Sequence, residues 1–131
     1  MEDNYIRHNK AVYLTQYHII WSPRYRRSLL VGPIKDRLEE IIRTVCDEKQ
    51  ATIKALEIMP DHVHIFVSFT YREPIFKLIK AMKGRSSNLL RKEFPDLLKM
   101  PTLWTRSFFV ASIGQVSADT IKKYIENQWK K

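Results

Sequence analysis

Glu57-Ile58-Met59-Pro60-Asp61-His62-Val63-His64-Ile65-Phe66-Val67-Ser68-Phe69 contains a turn and the strand that follows it. Side chains on a strand alternate between its two faces. Val63, Ile65, Val67 and Phe69 therefore point one way, toward a packed core. His62 and His64 point the other way, side by side. Residues 52–58 make the preceding strand, and Met59-Pro60-Asp61 is so short a connection that the two strands pair as an antiparallel hairpin. Two imidazoles two residues apart on one strand can share a metal ion. They can equally be two solvated histidines on a half-exposed sheet, so the spacing alone leaves both readings open.

Working outward, residues 12–21 are aromatic and β-branched and predict a first strand. The basic loop Pro23-Arg24-Tyr25-Arg26-Arg27 follows it. Gly32-Pro33 opens a helix, with proline suited to the first helical turn. Ile34, Leu38, Ile41, Ile42 and Val45 recur at spacings of three and four, the stripe of an amphipathic helix. Pro74 opens a second helix whose buried face carries Ile75, Leu78, Ile79 and Met82. Gly84 lies inside it at a cost of about 1 kcal/mol, and the helix stops before Pro95. Trp104 to Ile113 predicts a fourth strand, ended by Gly114. Ser117 caps a final helix, with Asp119 in its first turn.

That order is β-α-β-β-α-β plus a last helix. It predicts an α+β fold, a single domain over residues 1–131. One four-stranded antiparallel sheet of ferredoxin-like (RRM-like) topology carries two helices on one face, and the extra C-terminal helix bears Tyr124. No repeat, low-complexity stretch or linker interrupts it.

The chain of 131 residues is 44% hydrophobic and 28% charged, the balance of an ordinary globular domain able to bury its own core. The single cysteine, Cys46, excludes an internal disulfide framework and reads as a small core residue in a reducing cytoplasm. The first residues lack the pattern of a signal peptide, and no apolar run is long enough for a transmembrane helix, so a cytoplasmic protein is expected. With 23 basic and 14 acidic residues the net charge is +9, which favours a polyanionic partner without naming it. Arg24, Arg26 and Arg27 form one basic group beside Tyr25. Lys80, Lys83, Arg85, Arg91 and Lys92 form another. The first group is suited to gripping phosphates.

In the last helix Tyr124 and Gln128 are four residues apart and share a face. Gln128 can offer a carbonyl oxygen to a metal, with Tyr124 one turn away. The same spacing also fits Tyr124 packed on Ile121 and a surface amide at 128. His18, alone on the first strand, either approaches the histidine pair or hydrogen-bonds in the core. Asp61 reads as a residue shaping its turn.

Four blocks in order resemble one family: residues 17–27 (YHIIWSPRYRR), 57–64 (EIMPDHVH), 103–110 (LWTRSFFV) and 124–128 (YIENQ). The chain is similar along nearly its whole length to the HUH nuclease superfamily. Within it, the match is to the small single-tyrosine transposases of bacterial and archaeal insertion sequences, the insertion-sequence-two-hundred type. The resemblance implies that His62, His64 and Gln128 hold a divalent metal, magnesium or manganese, and that Tyr124 is the nucleophile. It implies single-strand-specific cleavage and rejoining of DNA through a 5′-phosphotyrosine, recognition of hairpins at element ends, and a homodimer whose active sites are shared between subunits. Arg24, Arg26, Arg27, Lys83 and Arg85 are the expected DNA-binding residues. Three other readings use the same fold: a non-catalytic RNA- or single-stranded-DNA-binding module, a water-using phosphohydrolase, and a domesticated transposase relative. The binding module normally carries aromatic platforms on the strand that here bears two histidines.

Overall fold

The computed structural model describes residues 14–113 together with Glu126. The elements follow in the order β1 (Leu14–Trp21), α1 (Gly32–Glu48), β2 (Thr52–Met59), β3 (His62–Thr70), α2 (Ile75–Glu93) and β4 (Phe109–Ile113). The strands form one antiparallel sheet in the order β2-β3-β1-β4, so the βαββαβ topology read from the sequence holds. The final helix with Tyr124 and Gln128 falls outside the described residues, as do residues 12 and 13 of the first strand.

The period-two pattern of β3 decides which face is covered. Val63, Ile65, Val67 and Phe69 are essentially inaccessible and meet Ile19 and Trp21 of β1 and Ile58 of β2 in the core. Above them lie the apolar stripes of α1 (Leu38, Ile41, Ile42, Val45, Cys46) and α2 (Leu78, Ile79, Met82, Leu90). Arg37 pairs with Glu93, and Arg85 with Glu48, so the two helices run antiparallel with ion pairs bridging them at the surface. Cys46 is a core residue, as expected. Burial, opposed only weakly by Arg43, pushes its thiol up to about 11, which keeps it protonated and unreactive.

The expected fourth strand over 104–113 is shorter: only Phe109–Ile113 pairs with β1. Trp104 makes an isolated bridge to Pro23, and residues 105–108 are a loop. Two side-chain contacts from α2 explain the loss. The buried Trp104 indole donates to Ser86 Oγ at 3.0 Å and to the Lys83 carbonyl at 3.1 Å. The Lys83 ammonium donates to the carbonyl oxygens of Thr105, Arg106 and Ser107, at 2.8, 3.4 and 3.3 Å. These carbonyls are turned to α2 rather than across to a neighbouring strand. Among the described residues no helix is long and apolar enough to cross a membrane.

Candidate active site

The sheet face away from the helices carries the chemistry. Register sets Ile20 of β1 and Glu57 of β2 on either side of His64, and Met59 beside His62. His18 lies opposite Phe66 and Ala111 on the same face. Both histidines of β3 are half-buried, as alternation with an apolar row requires.

The turn that makes the hairpin also orients the first histidine. Asp61 Oδ1 lies 2.9 Å from His62 Nδ1. A carboxylate only accepts, so the ring must donate from Nδ1, and in the neutral ring this puts the lone pair on Nε2, the tautomer in which a histidine ligates through Nε2. The other carboxylate oxygen, Oδ2, accepts from Arg26 Nη2 at 2.8 Å. Burial pushes the Asp61 carboxyl up, but its hydrogen bonds to His62 and Arg26 outweigh this and hold it below the usual value. The basic loop is thus tied through one carboxylate to a proposed metal ligand.

His64 is held differently. Its Nε2 is 2.8 Å from Nδ1 of His18, and its Nδ1 is 3.5 Å from Glu57 Oε1. The His18 ring stacks on Phe66, with centroids 4.7 Å apart and planes 5° from parallel. Burial, with His64 adding repulsion, lowers the His18 pKa from 6.5 to about 4, so this imidazole stays neutral. A neutral His18 either donates from Nδ1 to the His64 lone pair on Nε2 or accepts there from a His64 Nε2–H, and in both cases it fixes the His64 ring. His18 is therefore part of the site rather than a core hydrogen-bonder. The antiparallel β1–β3 register brings it there, and no local motif encodes that register.

The donor chemistry fits part of a divalent metal site. His62 and His64 supply imidazole nitrogens, with a carboxylate behind His62 as ligating histidines commonly have. No group of three or more His, Cys, Asp and Glu side chains able to hold a metal occurs among the described residues. Gln128, the expected third ligand, lies outside the described residues.

The expected DNA-binding side chains differ in what they touch. Lys83 is spent on three carbonyl oxygens, and burial lowers its pKa. Arg85 donates twice to Glu48, and Arg26 pairs with Asp61. Arg24 donates to Thr102 Oγ1 at 3.0 Å and has its guanidinium 5.3 Å from the Tyr25 ring. The Arg27 guanidinium is 6.0 Å from that ring on the exposed side of the loop.

Comparison with known proteins identifies the family. The family model described as "Transposase IS200 like" matches residues 11–128. The chain is similar to the ISDra2 transposase TnpA of Deinococcus radiodurans, 34% identical over 120 residues, 89% of this chain and 86% of the relative. It is 29% identical to the IS200 transposase of Salmonella typhimurium over 116 residues, 86% of this chain and 76% of the relative. A crystal structure of a protein described as a Deinococcus radiodurans transposase superposes with a TM-score of 0.77 at 35% identity, covering 93% of this chain and 96% of that one. A REP-associated tyrosine transposase, solved bound to a REP hairpin, shares the fold at a TM-score of 0.58 and 17% identity, over 96% of this chain and 68% of that one. The chain belongs to the IS200-like transposase family.

Proposed function

We propose that this transposase cuts and rejoins single-stranded DNA through a covalent bond to Tyr124, at a divalent metal held by His62, His64 and Gln128. The observation that carries the reading is the Asp61-oriented His62 beside His64 on the sheet face away from the helices, in a chain of this family.

The metal, magnesium or manganese, would act as a Lewis acid on the scissile phosphate. The phenolic oxygen of Tyr124, having lost its proton, attacks phosphorus. The bond from phosphorus to the 3′ oxygen breaks, and that oxygen takes up a proton as a free 3′-hydroxyl. The 5′ end remains on the enzyme as a phosphotyrosine. Rejoining is the reverse: a 3′-hydroxyl attacks phosphorus and Tyr124 leaves. One phosphoester replaces another at each step, so no ATP is consumed. Asp61 keeps His62 in the ligating tautomer, and the His18 contact fixes the orientation of the His64 ring.

Hairpin ends of the mobile element are the proposed substrate. The REP-associated tyrosine transposase that shares this fold was solved bound to a REP hairpin, which supports this choice. A homodimer with shared sites is the proposed working form.

Single-stranded oligonucleotides copied from the flanks of the gene, incubated with manganese, test the reaction class. A protein–DNA adduct that survives denaturing electrophoresis and is lost with chelator, with Tyr124→Phe and with duplex DNA is the expected outcome. Tight binding without any adduct would overturn the proposal in favour of a binding module. Cleavage without an adduct would indicate a water-using hydrolase.

A further inference from the structure

The loop after β1 contains a feature that neither the core nor the metal site uses. Tyr25 is 69% exposed, the most open of the large apolar side chains among the described residues. Its backbone is left-handed, at φ 62°, and Arg26 beside it is also left-handed, at φ 52°. Two successive non-glycine residues in this region are uncommon, and for a bulky side chain the conformation is an outlier. Nothing in the packing compensates for it, because the ring adds no core contact.

The conformation is nonetheless fixed from several sides. Arg24 N–H donates to the Leu103 carbonyl at 2.8 Å, Thr105 N–H to the Ser22 carbonyl at 3.0 Å, and Arg26 N–H to the Pro23 carbonyl at 2.8 Å. Pro23 bridges to Trp104, and Arg26 is bound to Asp61. The result is a rigid mount that holds an aromatic ring in solvent with two guanidiniums within 6.0 Å of its centroid. It stands one residue from the side chain that grips the Asp61–His62 pair.

We propose that Tyr25 is a stacking platform for one unpaired base of the DNA strand, with Arg24 and Arg27 holding the flanking phosphates. The site takes a nucleobase without choosing among the four, because every base presents a π-face. Its role is to fix the strand's position relative to the histidine pair; the preorganised loop removes the ordering cost that a flexible tyrosine would add. An exposed aromatic side chain that only shielded a hydrophobic surface would not need two guanidiniums near its ring or a left-handed backbone. The inference rests on the single-stranded-DNA reading above.

The test uses the full-length chain carrying Tyr124→Phe, so that no cleavage intervenes. Two strands of about 20 nucleotides are compared by fluorescence anisotropy, one all thymidine and one with the same phosphates but no bases. The protein without further change should prefer the thymidine strand. Tyr25→Ala and Tyr25→Leu should reduce that preference about tenfold, and Tyr25→Phe should keep it. All variants should bind the baseless strand equally, with the same dependence on salt. An undiminished preference in Tyr25→Ala, or a preference retained by Tyr25→Leu, would overturn the platform. So would equal weakening on both strands, which would reflect damage to the loop. Failure of the starting protein to bind either strand more tightly than duplex DNA would instead remove the single-stranded-DNA reading itself.

Discussion

Asp61 accepts from His62 on one oxygen and from Arg26 on the other, and this double hold has a measurable consequence. Asp61→Asn keeps the shape but lets an amide face His62 Nδ1, so the ring is no longer held in the ligating tautomer. The manganese concentration needed for half-maximal cleavage should rise roughly 10–100-fold. An unchanged requirement would reduce Asp61 to a turn-former, the role its sequence position suggests. His18 makes a prediction about pH. Its folded pKa, about 4, lies below the unfolded value of 6.5. The unfolded chain therefore binds more protons between those values, and stability is lost as pH falls from about 6.5 to 4, by up to about 3 kcal/mol. His18→Gln, which does not titrate and retains a donor for His64, should flatten that part of the urea-unfolding profile. Equal slopes in both proteins would refute the assignment. The sequence showed His62 and His64 because period-two alternation is local. It left the position of His18 open, because a 46-residue separation is bridged only by strand register.

At the scale of elements, the hairpin was legible because each β3 residue declares its face, and both helices because their stripes are apolar. The fourth strand was overestimated. Trp104, Phe108, Phe109 and Val110 look like strand residues, but Lys83 and Ser86 of α2 take the polar groups of the first part of the segment. Lys83→Met should lower the melting temperature, since the Thr105–Ser107 carbonyls lose a charged donor, a change of about 1–3 kcal/mol. It should leave the salt dependence of DNA binding unchanged, because the ammonium already has intramolecular partners. Gly84 offers the opposite case. It is exposed within α2, and an added Cβ would meet nothing within 4 Å. Gly84→Ala should stabilise the fold by about 0.5–1 kcal/mol in thermal or urea unfolding. A destabilised variant would mean that the helix is distorted there.

For the whole molecule, the charge of +9 favours a polyanion, and the loop after β1 contributes to it next to the histidines. Arg27→Ala should reduce the slope of log affinity against log salt by about 0.7 on single strands, one phosphate contact. Sharing of sites between subunits is read by mixing Tyr124→Phe with His64→Ala: cleavage restored in the mixture supports a tyrosine acting on its partner's metal, and its absence argues for a site within one chain. Fold and family were legible from four ordered sequence blocks, whereas the contacts of Arg26, Lys83 and Arg85 were not, because a surface charge does not announce its partner. The proposed bond between enzyme and DNA can be read directly. The adduct formed with manganese and a single-stranded oligonucleotide is digested with protease and nuclease and sequenced by tandem mass spectrometry. A nucleotide mass on Tyr124, absent from Tyr124→Phe, is the expected result; cleaved DNA with an unmodified Tyr124, or with the nucleotide on another residue, would contradict it.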